Sequence, residues 1–163
     1  MSENDQIDLQ IVELLMEDGR MAAAEIARRI GGGISERVVR YRIDRIVKDE
    51  VIQIRPIVNP QAFGLTIRAD VLLEVESDAI MAVAHTAMAY DCVSYVACSI
   101  GEMDVSIQLV AKDTAEIYRF VNEVIRKMPG VRRTTTSIVP IVLKDVYQWH
   151  VPLNSKSDDS KAI

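Results

Sequence analysis

Residues 29–51 read RIGGGISERVVRYRIDRIVKDEV, and the reading of this stretch decides the N-terminal fold. Gly31, Gly32 and Gly33 break the preceding segment, because glycine enters backbone conformations closed to other residues. Ser35 then has the chemistry of an N-cap, a hydroxyl able to accept from a free amide of the first turn. The following residues, ERVVRYRIDRIVKDE, predict a helix with Val39, Ile43, Ile46 and Val47 at i, i+4, i+7 and i+8, one apolar stripe. At about 100° per residue, Arg37, Tyr41, Asp44, Arg45 and Lys48 face roughly away from that stripe, with Arg40 and Arg42 on its two flanks. From Arg28 to Lys48 there are seven basic and two acidic residues, a local charge of +5 in a chain whose total is −5. A solvated surface helix also turns its charges outward. Here, however, acids are expected to be mostly missing from the i,i+4 positions that would pair the arginines.

Working outward, IDLQIVELLMEDGR predicts a first helix with Ile7, Ile11, Leu14 and Leu15 on one side, Asp8 in its first turn and Gly19 at its close. MAAAEIARRI predicts a second, short helix with Ala23, Ile26, Ala27 and Ile30 on one side. Three helices with a basic outer face on the third have the geometry of a helix-turn-helix, whose recognition helix enters the major groove. Arginine suits such a face because its planar fork can pair with a guanine edge or clamp a phosphate. Residues 1–52 are therefore expected to form a DNA-binding domain with a winged helix-turn-helix. VIQIRPIVNPQAFG, with Pro56 and Pro60, predicts a short β-ribbon and then a hinge, together spanning residues 53–65.

From Thr66 the pattern changes to β-α-β-β-α-β, which predicts a ferredoxin-like domain over 66–146 and an α+β protein overall. Ser77–Asp78 is expected to cap the first helix of this half, and Asp113 with Glu116 has capping-box spacing before the second. Pro129–Gly130 ends that second helix, and the last strand is expected to be interrupted near Pro140. Apolar residues, with Tyr95 among them, are expected on the sheet face away from the helices, which argues for burial against a second copy. Residues 147–163 are polar and expected to be a partly disordered tail.

Other functions find little support in the sequence. Cys92 and Cys98 have no His or Cys cluster beside them, so neither a metal site nor a disulfide framework is expected. His85 reads as a helix-surface residue and His150 lies near the tail, and neither has the convergent partners that catalysis needs. The glycine run is no phosphate loop, because no Gly-Lys-Ser/Thr follows it. No cofactor, no metal and no membrane span are expected, and the acidic, polar start is no signal peptide, so a cytoplasmic location is expected.

The chain resembles the Lrp/AsnC (leucine-responsive/asparagine-responsive) transcription regulators from about Asp8 to about Lys144. Asp8, Ile11, Leu15, Gly19 and Arg20 match the family's first helix, and Ser35, Val39, Arg42, Ile43, Ile46 and Ile52 match its recognition-helix pattern. NPQAFG resembles the hinge, Gly101 and Asp104 a G-x-x-D turn, and Pro129, Gly130, Val131 and Thr136 a P-G-V…T segment. The sequence departs from the family in three places. GGGIS carries about two extra residues, Glu50 stands where glycine is common, and Met103 replaces a frequent aromatic.

The resemblance implies a homodimer that assembles further to tetramers or octamers, and a small effector, usually an amino acid, bound near the G-x-x-D turn. By position this assigns Gly101, Glu102, Met103 and Asp104 to the effector, with Thr134 and Thr136 as further candidates, although a plain hairpin turn would also use Gly101 and Asp104. On double-stranded promoter DNA, Ser35, Arg37, Arg40 and Tyr41 are expected near bases. Arg42, Arg45 and Lys48, with Arg28 and Arg29, are expected on phosphates. The competing reading is an effector-binding oligomeric module whose DNA-reading head has degenerated, motivated by the glycine insertion and Glu50. An enzyme on the same architecture would need a histidine-bearing basic pocket that these histidines are poorly placed to form.

Overall fold

The structure, a computed structural model, describes residues 3–148. The chain divides into two compact units, one running through Ile57 and the other from Val58 to Asp145.

The first unit contains helices α1 (Glu3–Glu17), α2 (Ala23–Ile30) and α3 (Glu36–Lys48). Ile11, Leu15, Ala23, Ile26, Val39 and Ile46 form its buried core, and Ile7, Leu14, Ile30, Ile43 and Ile52 pack around them. The apolar spacing therefore marks the inner faces, except that Val47 lies at the edge of its stripe and is exposed. Between α2 and α3 all three glycines have positive φ, 74°, 63° and 76°. The Ile34 amide donates to the Gly31 carbonyl at 3.3 Å across Gly32 and Gly33. Two consecutive left-handed residues inside such a bonded turn call for glycine at both positions.

Helix α3 begins as its sequence predicts, with the Ser35 hydroxyl accepting from the Val38 amide at 3.3 Å. It ends in a Schellman arrangement. The Val51 amide donates to Ile46 at 3.0 Å and the Glu50 amide to Val47 at 3.1 Å, which places Glu50 at φ 57°. A side chain there costs roughly 1–2 kcal/mol that glycine avoids. Glu50→Gly is therefore expected to stabilise this unit by about 1 kcal/mol, raising its melting midpoint by roughly 4–8 °C in a thermal melt. An unchanged or lower midpoint would contradict this reading.

The expected β-ribbon is not formed. Residues 51–59 contain no strand. A ribbon needs an antiparallel partner, and this segment runs in one direction with Pro56 removing a donor. Ile54, Ile57 and Val58 are left exposed. The segment ends in a 3-10 turn, Pro60–Phe63, which is capped by the Asn59 side chain and closed by Gly64 in the left-handed region.

The second unit follows the predicted order: β1 (Ile67–Val75), α4 (Ile80–Met88), β2 (Val93–Cys98), β3 (Val105–Ala111), α5 (Thr114–Glu123) and β4 (Val131–Val139). The strands form one antiparallel sheet in the order β2-β3-β1-β4. On β1 every second residue (Ala69, Val71, Leu73, Val75) is buried. Their neighbours Leu109, Ile107 and Val105 on β3 extend the same face. Val83, Ala87, Ile117, Val121 and Ile125 complete that core.

Three local expectations change. Ser77–Asp78 does not cap α4, whose N-terminal residue Ala79 makes no side-chain cap. The segment after Asp113 is a helix only to Glu123, followed by a 3-10 turn at Ile125–Lys127. Strand β4 ends at Val139, at the break expected near Pro140, but no strand resumes beyond it among the described residues. The capping box is present in variant form. The Asp113 carboxylate accepts from the Glu116 amide at 2.7 Å, and the Glu116 carboxylate accepts from the Lys112 amide at 2.8 Å.

The open sheet face is more polar than expected. Leu72 and Tyr95 lie on it beside Asp70 and Gln108, whose side chains are hydrogen-bonded at 3.0 Å. Further exposed apolar residues lie beyond β4, at Ile141, Val142 and Leu143.

Candidate functional site

The candidate DNA-reading surface is the outer side of α2 and α3. The Ser35 cap and the buried pair Val39 and Ile46 fix the start and roll of α3. Its arginines differ in what they touch. Arg42, with only 12 % of its side chain exposed, donates to Asp8 of α1 at 2.8 Å, and Arg45 donates to the other oxygen of the same carboxylate. Asp8 thus joins the reading helix to α1 across 34 residues of sequence. Arg40 donates to Glu36 one turn earlier, at 2.9 Å from Nε. On α2, Arg28 reaches Glu25 through both Nε and Nη2, at 2.8 and 2.6 Å. Arg29 bonds Glu25 at 2.9 Å and Glu17 at 2.7 Å.

The expected scarcity of pairing acids is therefore corrected: five of the seven basic residues counted above hold carboxylates. Arg37 and Lys48 have no ion-pair partner among the described residues, and Tyr41 between them is exposed. A shallow cavity of about 350 Å³ lies beside this face, lined by Met21, Ala22, Ala23, Arg40, Ile43 and Asp44.

Hydrogen bonds from Arg28 and then Arg29 hold the Glu25 carboxyl at about 2, below its ordinary 4.5. The same pairing raises both arginines. Because the folded value is the lower one, any stability from this cluster is complete above pH 4.5 and is lost as pH falls toward 2. At neutral pH the cluster is permanently charged and internally paired.

In the second unit the Gly101–Asp104 turn joins β2 to β3. Asp104 closes it three ways. Its amide donates to Leu73 at 2.8 Å, its carbonyl accepts from Ser99 at 2.9 Å, and its carboxylate accepts from the Val75 amide at 2.8 Å. The last bond lies at the register shift between Glu74 and Val75. The carboxylate therefore serves backbone amides, one of the two roles its residue type allows. The Glu102 carboxylate is 3.5 Å from Arg133, which also lies 3.7 Å from Glu74. Thr134 and Thr136 lie opposite Leu73 and Val71, on the helix side of the sheet. Thr134 there accepts from Arg126 at 2.9 Å. Glu102 and the two threonines consequently do not converge on one face within a single chain.

Among the described residues no cluster of His, Cys, Asp and Glu could hold a metal ion. His85 is exposed on α4, with Nδ1 2.7 Å from the Met81 carbonyl, and His150 lies outside the described residues. Burial pushes the Cys92 thiol up, away from the reactive thiolate. No helix among the described residues is long and apolar enough to cross a membrane.

Comparison with known proteins agrees with this architecture. Residues 5–46 match the AsnC-type helix-turn-helix domain, and residues 68–148 match the Lrp/AsnC ligand binding domain. An uncharacterized HTH-type transcriptional regulator of Pyrococcus horikoshii is 36 % identical over 143 residues, covering 87 % of this chain and 89 % of its own. Among solved structures, the regulator NMB0573 of Neisseria meningitidis, determined as a complex with L-Met, aligns with a TM-score of 0.79 at 20 % identity. That alignment covers 89 % of this chain and 93 % of that one. E. coli AsnC aligns at 0.77 and 19 % identity, covering 90 % and 99 %. With a helix-turn-helix followed by an antiparallel α+β ligand-binding domain, the chain belongs to the Lrp/AsnC family: it is a transcriptional regulator, not an enzyme.

Proposed function

We propose that the protein is a sequence-specific, cytoplasmic DNA-binding regulator whose DNA affinity or assembly is modulated by a small effector, an amino acid. The observation that carries the DNA half is the outer face of α3, where Arg37, Tyr41 and Lys48 stand exposed while Arg42 is held within the unit by Asp8. Arg37 and Tyr41, in the first turns of α3, take the base edges, with Ser35 and Arg40 beside them. Lys48 and Arg45 take phosphates, Arg28 and Arg29 join them only where their bonds to Glu25 and Glu17 open, and Arg42 acts mainly by holding the helix. Two such helices in a homodimer would read half-sites about one helical turn apart. The exposed Ile57, Phe63, Ile141 and Leu143 support assembly into a dimer and from there into tetramers or octamers.

The effector half rests on the Gly101–Asp104 turn, with Glu102 exposed, Met103 beside it, and Thr134 and Thr136 reached from a second copy. The L-Met complex of the Neisseria relative supports an amino acid as the ligand class. Effector binding would then act on DNA affinity through linkage between the two sites.

The test is fluorescence anisotropy with a duplex taken from upstream of the protein's own gene, titrated across salt. Binding should weaken with a log–log slope of about −0.9 per phosphate contacted. Arg37→Ala should cost roughly ten-fold or more in affinity, the loss of one base-edge contact of about 1–3 kcal/mol. Wild-type affinity in Arg37→Ala, or salt-independent association, would remove α3 as the reading helix. A thermal-shift screen of the amino acids tests the effector, since a ligand that binds the native state raises its midpoint.

The second reading, an effector module with a degenerate head, draws on the left-handed Glu50 and the extended glycine turn. Charge reversal at Arg37 and Arg40 separates the two, because only a working head loses DNA.

A further inference from the structure

We propose that Glu25 and Glu36 are specificity-determining residues. They act as internal counter-ions that cancel arginine charge on the head and so hold down its affinity for arbitrary DNA. This rests on the DNA-reading function proposed above.

Three arginines on this surface are well exposed yet neutralised. Side-chain exposure is 72 % for Arg28, 41 % for Arg29 and 68 % for Arg40, and each still donates to a carboxylate within 2.9 Å. Glu25 serves Arg28 and Arg29, Glu36 serves Arg40, and Glu17 of α1 takes a second bond from Arg29 at 2.7 Å, so three carboxylates face the three arginines. Sequence-independent DNA binding is electrostatic and scales with the charge delivered to the phosphates. A guanidinium bonded to its own carboxylate delivers almost none, because the pair is neutral as a unit. It must be broken, or carried neutral, for Arg28, Arg29 or Arg40 to reach a phosphate.

Arg37, Tyr41 and Lys48 lie on the same head without such partners. Base reading by the free residues is therefore kept while the generic grip of the flanking arginines is reduced. Because a genome offers a vast excess of non-specific sites, lowering the generic term raises discrimination as effectively as improving a base contact.

A double-mutant cycle on the full chain separates this from simple long-range repulsion, with a random-sequence duplex and the upstream duplex as ligands. Glu36→Gln should tighten binding to the random duplex by up to about fivefold, the span of an exposed ion pair, and steepen the salt slope by about 0.9. In an Arg40→Gln background the same change should give less than about twofold, since the pair is already gone. Glu25→Gln should behave alike through Arg28, since Arg29 keeps Glu17, with its gain lost in the Arg28→Gln background. Asp49→Asn is the control: Asp49 is exposed at the C-cap of α3, nine residues from Arg40, and no arginine pairs with it among the described residues, so its effect should not depend on Arg40. The upstream-to-random affinity ratio should fall in both Glu variants. Gains of equal size with and without the arginines, or no gain, would overturn the proposal while leaving DNA binding by the wild type intact. Failure of the wild type to bind either duplex would instead sink the DNA-reading function and this proposal with it.

Discussion

Gly130→Ala is expected to be the most damaging single methyl in the second unit. Gly130 has φ 88°, and a Cβ built there meets the Ala79 Cβ at 2.3 Å, with Val75 at 3.8 Å. Two independent costs combine. The left-handed backbone is worth roughly 1–2 kcal/mol against any non-glycine residue. The overlap forces apart two packed backbone segments, which is worth about 1–3 kcal/mol. Neither neighbour can swing aside: Ala79 is the N-cap residue of α4, and the Gly130 carbonyl accepts from the Glu76 amide at 2.8 Å, tying the start of β4 to the end of β1. The expected loss of about 4 kcal/mol lowers the melting midpoint by roughly 15 °C or more in a unit of this size. Adding Ala79→Gly should restore the steric share and leave the backbone share, so the double variant recovers about half. If Gly130→Ala melts within a few degrees of the wild type, the close approach of these segments is wrong.

Both sides of that contact bear on what could be read in advance. The sequence marks Gly130 through the Pro-Gly pair that ends a helix, and its role there follows from local chemistry. Its approach to Ala79 does not, because the two residues meet only once β1 and β4 are paired. The same division runs through the chain. The three helices, the glycine turn, the Ser35 and Asp113 caps and the succession of strands and helices along the second unit all rest on periodicity or on a few neighbouring residues, and they are legible. The β-ribbon is not, because a strand pattern says that a segment can pair and not that a partner exists within the chain. Ser77–Asp78 has capping chemistry, but α4 starts two residues later, and helix boundaries move with tertiary packing.

In the reading head the basic face is legible, and so in principle are the Glu36–Arg40 and Glu25–Arg28/Arg29 pairs, which obey helical i,i+4 and i,i+3 spacing. Counting charge over Arg28–Lys48 hides the Glu25 pairs, since Glu25 falls outside the window, and reduces the Glu36–Arg40 pair to two cancelling charges in a sum. The outward face of Arg45 was legible from the helical angle, but its turn toward Asp8 was not. The candidate effector residues divide for the same reason. The Asp104 turn is local, whereas the side of the sheet to which Thr134 and Thr136 point depends on register with β1.

Asp8→Ala is expected to be a large loss for a residue outside the hydrophobic core of the first unit, although Asp8 belongs to α1 and not to the reading helix. Its carboxylate takes a hydrogen bond from Arg42 on one oxygen and from Arg45 on the other, and its side chain is 21 % exposed against 12 % for Arg42. Truncation leaves the Arg42 guanidinium enclosed without this counter-charge. The cost of breaking a part-buried pair by removing one member is about 2–3 kcal/mol, or a drop of more than about 10 °C for a unit this small. Arg45, with 42 % of its side chain exposed, can turn back to water and should contribute little to that loss. Arg45→Ala should therefore lower the melting midpoint by well under half of what Asp8→Ala does. Replacing the pair as a pair discriminates further. Asp8→Leu with Arg42→Met removes both charges and keeps the volume, and it should recover most of the stability. Neither charge of the Asp8–Arg42 pair is then needed for folding as such, and what it contributes is the placement of α3 against α1. DNA affinity of the stable double variant at low temperature measures that placement directly. If it binds as tightly as the wild type, hydrophobic packing alone sets the helix, and Arg42 has no part in reading DNA even indirectly. If it is stable yet weak, the ion pair fixes the angle at which Arg37 and Tyr41 are presented.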